Sequence, residues 1–394
     1  VIFESMPRYY VPGCLFIPKN GKKKKPAIIF CTGHTQGAFR AKTYQHEILN
    51  YVKKGFVVFS FDPIGLGERL QYYDPRLGRS MIGGATDEHS FVGAQCFLIG
   101  TSLARYYIWD GIRAVDYLIT RDEIDSNRLG ITGVSGGGTQ TAYIGAFDDR
   151  LLAAAPERYI TSFMRLVQSI GPQDAEQNFY KGMAHQIDQA DLLEQRIPKP
   201  TMVVSTTRDY FNIQGARETA REVKNAYELF GKPENFSMIE DDAPHASTIK
   251  NRERKYAFFQ KHLDLPGSSE DETVEFHSIE ELTVTETGQL ITSHKGKTAF
   301  QINKQRAEKN LIQMKERRNS TGDNISSLIQ TIKKISGFTY PNNQNDPVFI
   351  GRYNRRGQKI EKYFIQGSGS YKIPYLLFQP CQNKVKFPLV IYLN

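Results

Sequence analysis

The residues Gly133-Val134-Ser135-Gly136-Gly137 read Gly-x-Ser-x-Gly. A serine hydroxyl is a poor nucleophile at neutral pH and needs a base and a special backbone turn to act as one. This spacing supplies the turn when a strand runs into it and a helix leaves it. Small neighbours then let the chain fold sharply, and the turn lifts Oγ clear of the sheet. The apolar run Leu129-Gly130-Ile131-Thr132 precedes the motif, and a helical stretch, Thr139–Phe147, follows it. Ser135 is therefore the candidate nucleophile. The N–H of Gly136, at the positive end of that helix, is a candidate oxyanion donor.

The base and its acid follow the serine in this architecture, in the order Ser, Asp, His. Asp209 comes just after the strand-like run Thr201–Ser205, and Glu157, after Ala153-Ala154-Ala155-Pro156, competes for the same role. Of the eight histidines, only His245 sits in a loop between a strand after Asp209 (Phe236–Glu240) and a helix. The second oxyanion amide is expected from Thr32-Gly33-His34-Thr35-Gln36-Gly37, with Thr35 first and Gln36 second. His34 is read as a brace for that loop, since no clustered His/Asp spacing accompanies it. Asp62 through Arg69 contains Gly65-Leu66-Gly67 but no third glycine, so it reads as a strand-to-loop turn rather than a nucleotide loop. No cofactor and no metal are expected.

These residues need a scaffold that brings several strand ends together. Val1-Ile2-Phe3, Leu15-Phe16-Ile17, Ala27–Cys31, Phe56–Phe61, Leu129–Thr132, Leu152–Ala155, Thr201–Val204 and Phe236–Ile239 read as strands. Helical stretches lie over Tyr44–Lys54, 102–119 and 139–147, and another ends near Leu263. Ile108, Ile112, Val115 and Ile119 put one apolar face on the second of these. Strands alternating with helices imply an α/β fold with a parallel sheet covered on both faces. Residues 160–198 break the rhythm and are expected to wall a pocket.

Composition sets the limits. The 394 residues are 40% hydrophobic, enough for a sizeable core. No window of about 18 apolar residues suggests a membrane span. The net charge of +9 is uneven: residues 301–394 hold 16 basic against 5 acidic side chains, and 266–300 hold 2 against 7. The basic excess lies beyond the candidate site, so nucleic acid is not an expected partner. Lys22–Lys25 reads as a solvated hairpin loop. Cys14, Cys31, Cys96 and Cys381 suggest neither a disulfide framework nor a zinc site. The chain opens on Val1, and its true N-terminus is expected to lie further upstream. The compartment therefore stays open, secretion and the periplasm included. Oligomeric state is equally open.

Residues 371–394 align without gaps on 9–32, with nine of 24 positions identical, among them Tyr9/Tyr371, Pro12/Pro374, Phe16/Phe378 and Pro26/Pro388. Three regions are expected: a catalytic α/β unit over 1–265, a linker with a helical segment over 266–346, and the opening strands of a second, truncated unit over 347–394. Trimming at Leu265 should then leave the catalytic unit whole.

Residues 1–265 resemble the acetyl xylan esterase-like group of bacterial α/β-hydrolases, with a layout close to prolyl-oligopeptidase-type domains. The resemblance rests on Gly33-His34, Asp62 through Arg69, Trp109-Asp110 with Asp116-Tyr117-Leu118, Gly133 through Gly138, Gly171 through Asn178, Asp209-Tyr210-Phe211 and Ala243-Pro244-His245. Members often carry glycine after the histidine, where this chain has Ala246. The resemblance implies an α/β-hydrolase that deacetylates polysaccharide or related acyl esters. Two other readings share the motifs: a prolyl-oligopeptidase-type serine peptidase, and a binding module that keeps only the fold.

Overall fold

The computed structural model describes all residues except 20–23, 170–173, 321–324, 341–345, 368, 370, 381–385 and 394. Lys22, Lys23, the 171–173 part of the Gly171–Asn178 motif and Cys381 thus lie outside the described residues.

Two compact units are present, Val1–Ile312 and Gln313–Asn394. The first is built on an eight-stranded sheet. Its strands are β1 (Ile2–Met6), β2 (Tyr9–Phe16), β3 (Lys25–Cys31), β4 (Val57–Phe61), β5 (Ile124–Val134), β6 (Leu151–Glu157), β7 (Thr201–Thr206) and β8 (Phe236–Asp241), in the spatial order β1-β2-β4-β3-β5-β6-β7-β8. β1 and β2 pair antiparallel, β2 joins β4 antiparallel, and every later pairing is parallel. The strands buried on both faces are the continuous apolar runs. β4 (Val57-Val58-Phe59-Ser60-Phe61) is buried at every position, as a central parallel strand must be.

Helices α1 (Lys42–Lys53), α2 (Ala85–Leu98), α3 (Ala104–Ile119), α4 (Gly136–Phe147), α5 (Ile213–Leu229) and α6 (Ile249–His262) connect and cover the strands. Tyr51, Tyr256 and Phe259 pack with Ile28, Phe30 and Val58 on one face; Val115, Leu118 and Ile144 pack with Ile29, Phe59 and Ile131 on the other. Among the described residues, no helix is long and apolar enough to cross a membrane.

The stretch after Leu265, expected as a linker, is packed on this first unit as far as Ile312. Asp271 accepts from Arg252 at 2.6 and 2.9 Å and from Tyr256 Oη at 3.1 Å. Leu282 joins the core around Phe30 and Tyr256. The buried Glu68 carboxylate accepts the Val284 and Thr285 N–H groups at 2.7 and 2.6 Å. Helix α7 (Ala299–Ser320) begins with Ala299 fully buried, and its Asn303 side chain accepts from Tyr106 Oη at 2.8 Å.

The second unit holds helix α8 (Ile325–Ser336) and an antiparallel sheet of β9 (Val348–Arg355), β10 (Gln358–Gln366) and β11 (Lys372–Pro380). The apolar run Pro388–Tyr392, aligned with β3 in the repeat, is in no strand.

Candidate functional site

The chain leaves β5 and enters α4 through Ser135, which stands at φ 60°, ψ −119°, strained for any side-chain-bearing residue. The Ser135 N–H donates to Glu157 O at 2.9 Å, which pins the turn to the end of β6. Glycines close it: a Cβ at Gly137 would lie 2.0 Å from Cys31 O, and one at Gly138 would lie 2.4 Å from Glu157 O. Gly136 opens α4, where its N–H has no acceptor within the helix.

Asp209 follows β7, and His245 lies between β8 and α6, so both stand at the carboxyl ends of parallel strands, beside Ser135. Both Asp209 carboxylate oxygens lie 2.8 Å from His245 Nδ1. Thr206 Oγ1 and the Phe211 N–H donate to the same carboxylate at 3.0 and 3.1 Å, which fixes its plane. His245 Nε2 meets the Tyr210 hydroxyl at 3.0 Å, and that hydroxyl reaches Ser135 Oγ at 3.4 Å. The Tyr210 ring stacks on His245 with centroids 4.3 Å apart. Burial pushes the Tyr210 phenol above its usual pKa, so it stays protonated near neutrality. The structure therefore brings Ser135, Asp209 and His245 to one place, with a tyrosine oxygen in line between serine and imidazole. In the sequence Tyr210 stands out only as part of the Asp209-Tyr210-Phe211 landmark.

Glu157, the competing acid, is elsewhere engaged. It is fully buried and paired with Lys255, which also pairs with Glu47. Burial works against the Glu157 charge, but Lys255 and Arg158 outweigh it and hold its carboxyl below the usual range. The same two carboxylates outweigh burial at Lys255 and raise its pKa. This carboxylate neutralises a buried cation beneath the site, while His245 is served by Asp209.

Thr35, the first-choice loop donor, spends its N–H on Gly33 O at 2.9 Å and its hydroxyl on Tyr44 Oη at 3.2 Å. A tight turn within the loop has taken that amide.

His34 points across the turn. Its Nε2 lies 2.7 Å from Glu176 Oε1 and 3.3 Å from Asp174 Oδ2. His89, fully buried on α2, puts Nδ1 3.1 Å from the same Asp174 oxygen. Burial disfavours charge on His34, yet Glu176 and Asp174 outweigh it and raise its pKa well above the ordinary value. A Cβ at Gly136 would come within 2.6 Å of Glu176 Oε1 and 3.1 Å of His34 Cε1, so this group abuts the serine turn. In the sequence His34 reads as a brace for its loop, a role it shares in the structure with three further residues. The sequence does not mark His89, Asp174 and Glu176 for that role, because no short-range spacing links them.

Sheet order, strand-to-helix serine turn and site position together define an α/β-hydrolase. Residues 1–194 match the model of the acetyl xylan esterase (AXE1) family, so this part of the chain is similar to acetyl xylan esterases. A hydrolase-named protein of Bacillus subtilis (strain 168), YtaP, is 22% identical over 275 residues, which are 66% of this chain and 84% of that one. Among solved structures, Methylesterase BT1017 superposes with a TM-score of 0.54 at 24% identity, over 71% of this chain. A Bacteroides fragilis NCTC 9343 protein, titled as a candidate acetyl xylan esterase, gives 0.50 at 18% over 61%. The matched regions span 58% and 65% of those two chains.

Proposed function

We propose that this chain is a serine carboxylic ester hydrolase that works through an acyl-enzyme, with Ser135 as nucleophile, His245 as base and Asp209 as its orienting acid. The observation that carries the reading is the line Asp209–His245–Tyr210–Ser135 at the carboxyl ends of β5, β7 and β8. Asp209 holds the His245 Nδ1–H at 2.8 Å, so Nε2 is left as the acceptor that a serine proton requires.

In this reading His245 Nε2 takes the Ser135 proton as Oγ attacks the ester carbonyl. The imidazolium faces the Asp209 carboxylate, then gives the proton to the departing alcohol. Water repeats the sequence on the acyl-enzyme. The developing oxyanion is held by the Gly136 N–H and a second amide of the 33–37 loop. Since the Thr35 N–H is bonded within the loop, the neighbouring Gln36 amide takes that role. Acetylated polysaccharide or small acyl esters are the substrates that the resemblance favours, and no cofactor takes part.

The test is a panel of acetyl esters, acetylated xylan among them, set against prolyl amides, with Ser135→Ala alongside. Turnover of esters that falls at least about 10⁴-fold in the folded variant is expected. Wild-type turnover by Ser135→Ala would remove the nucleophile assignment. Preferential cleavage of the amides would make the chain a peptidase, and no turnover of any member would leave a binding module.

A further inference from the structure

We propose that His34, His89, Asp174 and Glu176 form a binding site for one divalent transition-metal ion of the zinc class, set against the serine turn at Gly136. One ligand atom from each residue lies within 4.8 Å of the other three. The four come from three distant segments: the loop after β3, helix α2, and the turn at 174–177 that contains Ala175–Gln177.

The donor atoms of all four residues meet in one buried cluster. His89 Nε2 lies 2.8 Å from Ile64 O, and a carbonyl only accepts, so that nitrogen carries the proton. In the neutral ring, Nδ1 then presents a lone pair to Asp174 Oδ2 at 3.1 Å and to Glu176 Oε2 at 3.8 Å. A carbonyl that accepts from the far ring nitrogen is the usual device that fixes the tautomer of a metal-bound histidine. His34 Nε2 and Glu176 Oε1 lie 2.7 Å apart as a buried pair turned into the same cluster. Two carboxylates that converge with two imidazoles at 0% to 23% side-chain exposure need positive charge between them, from protonated rings or from an ion that takes the place of those protons. One divalent ion supplies it.

The spacing suits the ion. Zinc binds nitrogen and oxygen at about 2.0–2.2 Å, so tetrahedral ligand atoms stand about 3.3–3.6 Å apart. Contacts among these residues measure 2.7, 3.1, 3.3 and 3.8 Å, and one ligand atom from each lies within 4.8 Å of the rest, close enough to gather around a single ion. Two imidazoles favour a borderline transition ion over calcium or magnesium, which take oxygen. The ion would tie the 33–37 loop to α2 and to the 174–177 turn, and so would hold one wall of the pocket.

The test uses the full chain, stripped with a chelator and titrated by calorimetry with Zn²⁺, then with Co²⁺ followed by its visible spectrum. Saturation at one ion per chain is expected. Intense four-coordinate Co²⁺ bands and a raised thermal midpoint should accompany it. His34→Gln, the more exposed position, and His89→Gln should each weaken binding at least about tenfold. His277→Ala, an exposed histidine outside the cluster, should not change it. Circular dichroism confirms that each variant is folded, so a loss of binding is not a loss of fold. The proposal is overturned if no saturable binding occurs up to about 1 mM Zn²⁺, at which a binding free energy of about −4 kcal/mol would register. It is equally overturned if folded His34→Gln binds as tightly as the wild type. These readouts do not involve ester turnover, so they stand apart from the fate of the esterase reading.

Discussion

Tyr210→Phe isolates a single oxygen. The substitution keeps a ring stacked on His245 and deletes the hydroxyl that lies 3.0 Å from His245 Nε2 and 3.4 Å from Ser135 Oγ. Two roles are open to that hydroxyl. It can relay the serine proton to the imidazole, or it can occupy the base until substrate arrives and then withdraw. The distances favour withdrawal: 3.4 Å is long for an O–H···O bond, which ordinarily runs about 2.5–3.0 Å, whereas the bond to His245 is well formed. Withdrawal breaks one neutral hydrogen bond with a net worth of about 0.5–1.5 kcal/mol. Removing that cost corresponds to about a 2- to 13-fold gain in rate. The expected result is a rise in kcat/KM for a chromogenic acetyl ester by no more than that factor, with a normal circular dichroism spectrum. A proton relay would instead contribute at the scale of general acid–base catalysis, about 10²–10⁴-fold. A fall in kcat/KM refutes withdrawal, and a fall of about 100-fold or more would make Tyr210 a proton carrier.

The remaining predictions separate chemistry from stability. Asp209→Asn should lower kcat by about 10⁴-fold at unchanged thermal midpoint, through loss of the imidazole's tautomer and charge partner. Glu157→Gln should do the opposite, keeping kcat within about tenfold while costing about 1.5–3 kcal/mol of stability, since it removes one charge-assisted partner of Lys255. Initial rates and thermal melts on both variants decide this, and an exchange of the two profiles would hand the acid's role to Glu157. A chain that ends at Leu265 should lose at least about 3 kcal/mol and melt about 6 °C or more lower, because it removes Leu282 from the core and strips two amide donors from Glu68. A chain that ends at Ser320 should melt like the whole first unit, and equal melting of the two shortened chains would mean that residues 266–312 add nothing.

What could be read from the sequence was what depends on neighbours along the chain. Ser135 is announced by a strand before it and a helix after it, and His245 and Asp209 by their places after β8 and β7. Tyr210 could not be placed, because its position between two partners follows from how three strand ends converge. Helix α2 went unread for a different reason. Its Thr86-Asp87-Glu88-His89 turn and its scattered Val92 and Cys96 form no apolar stripe, and its buried face includes the polar Glu88 and His89. Residues 266–312 look like a linker because polar bonds and a few scattered apolar anchors hold them. Asp271 to Arg252, and Glu68 to Val284 and Thr285, do much of the holding, and the apolar anchors Leu282 and Ala299 are too far apart to form a periodic pattern.

The repeat carries more weight in register than in identity. In the first unit Ile2, Phe3 and Glu4 stand opposite Pro12, Val11 and Tyr10. In the second, Phe364, Ile365 and Gln366 stand opposite Pro374, Ile373 and Lys372. Every one of these residues is displaced by the same interval of 362 that aligns Tyr9 with Tyr371. The 364–366 strand lay outside the sequence alignment, so its agreement is independent of it. A slip of one residue would turn each side chain to the opposite face, and register is therefore a strict criterion. We propose that residues 358–380 duplicate the hairpin with which the hydrolase sheet begins. In the first unit the far edge of that hairpin receives β4, with Cys14 opposite Ser60 and Phe16 opposite Val58. The matching edge, at Leu376 and Phe378, pairs with no strand among the described residues and exposes both side chains. It has the register and the apolar surface of an edge built to accept an antiparallel strand.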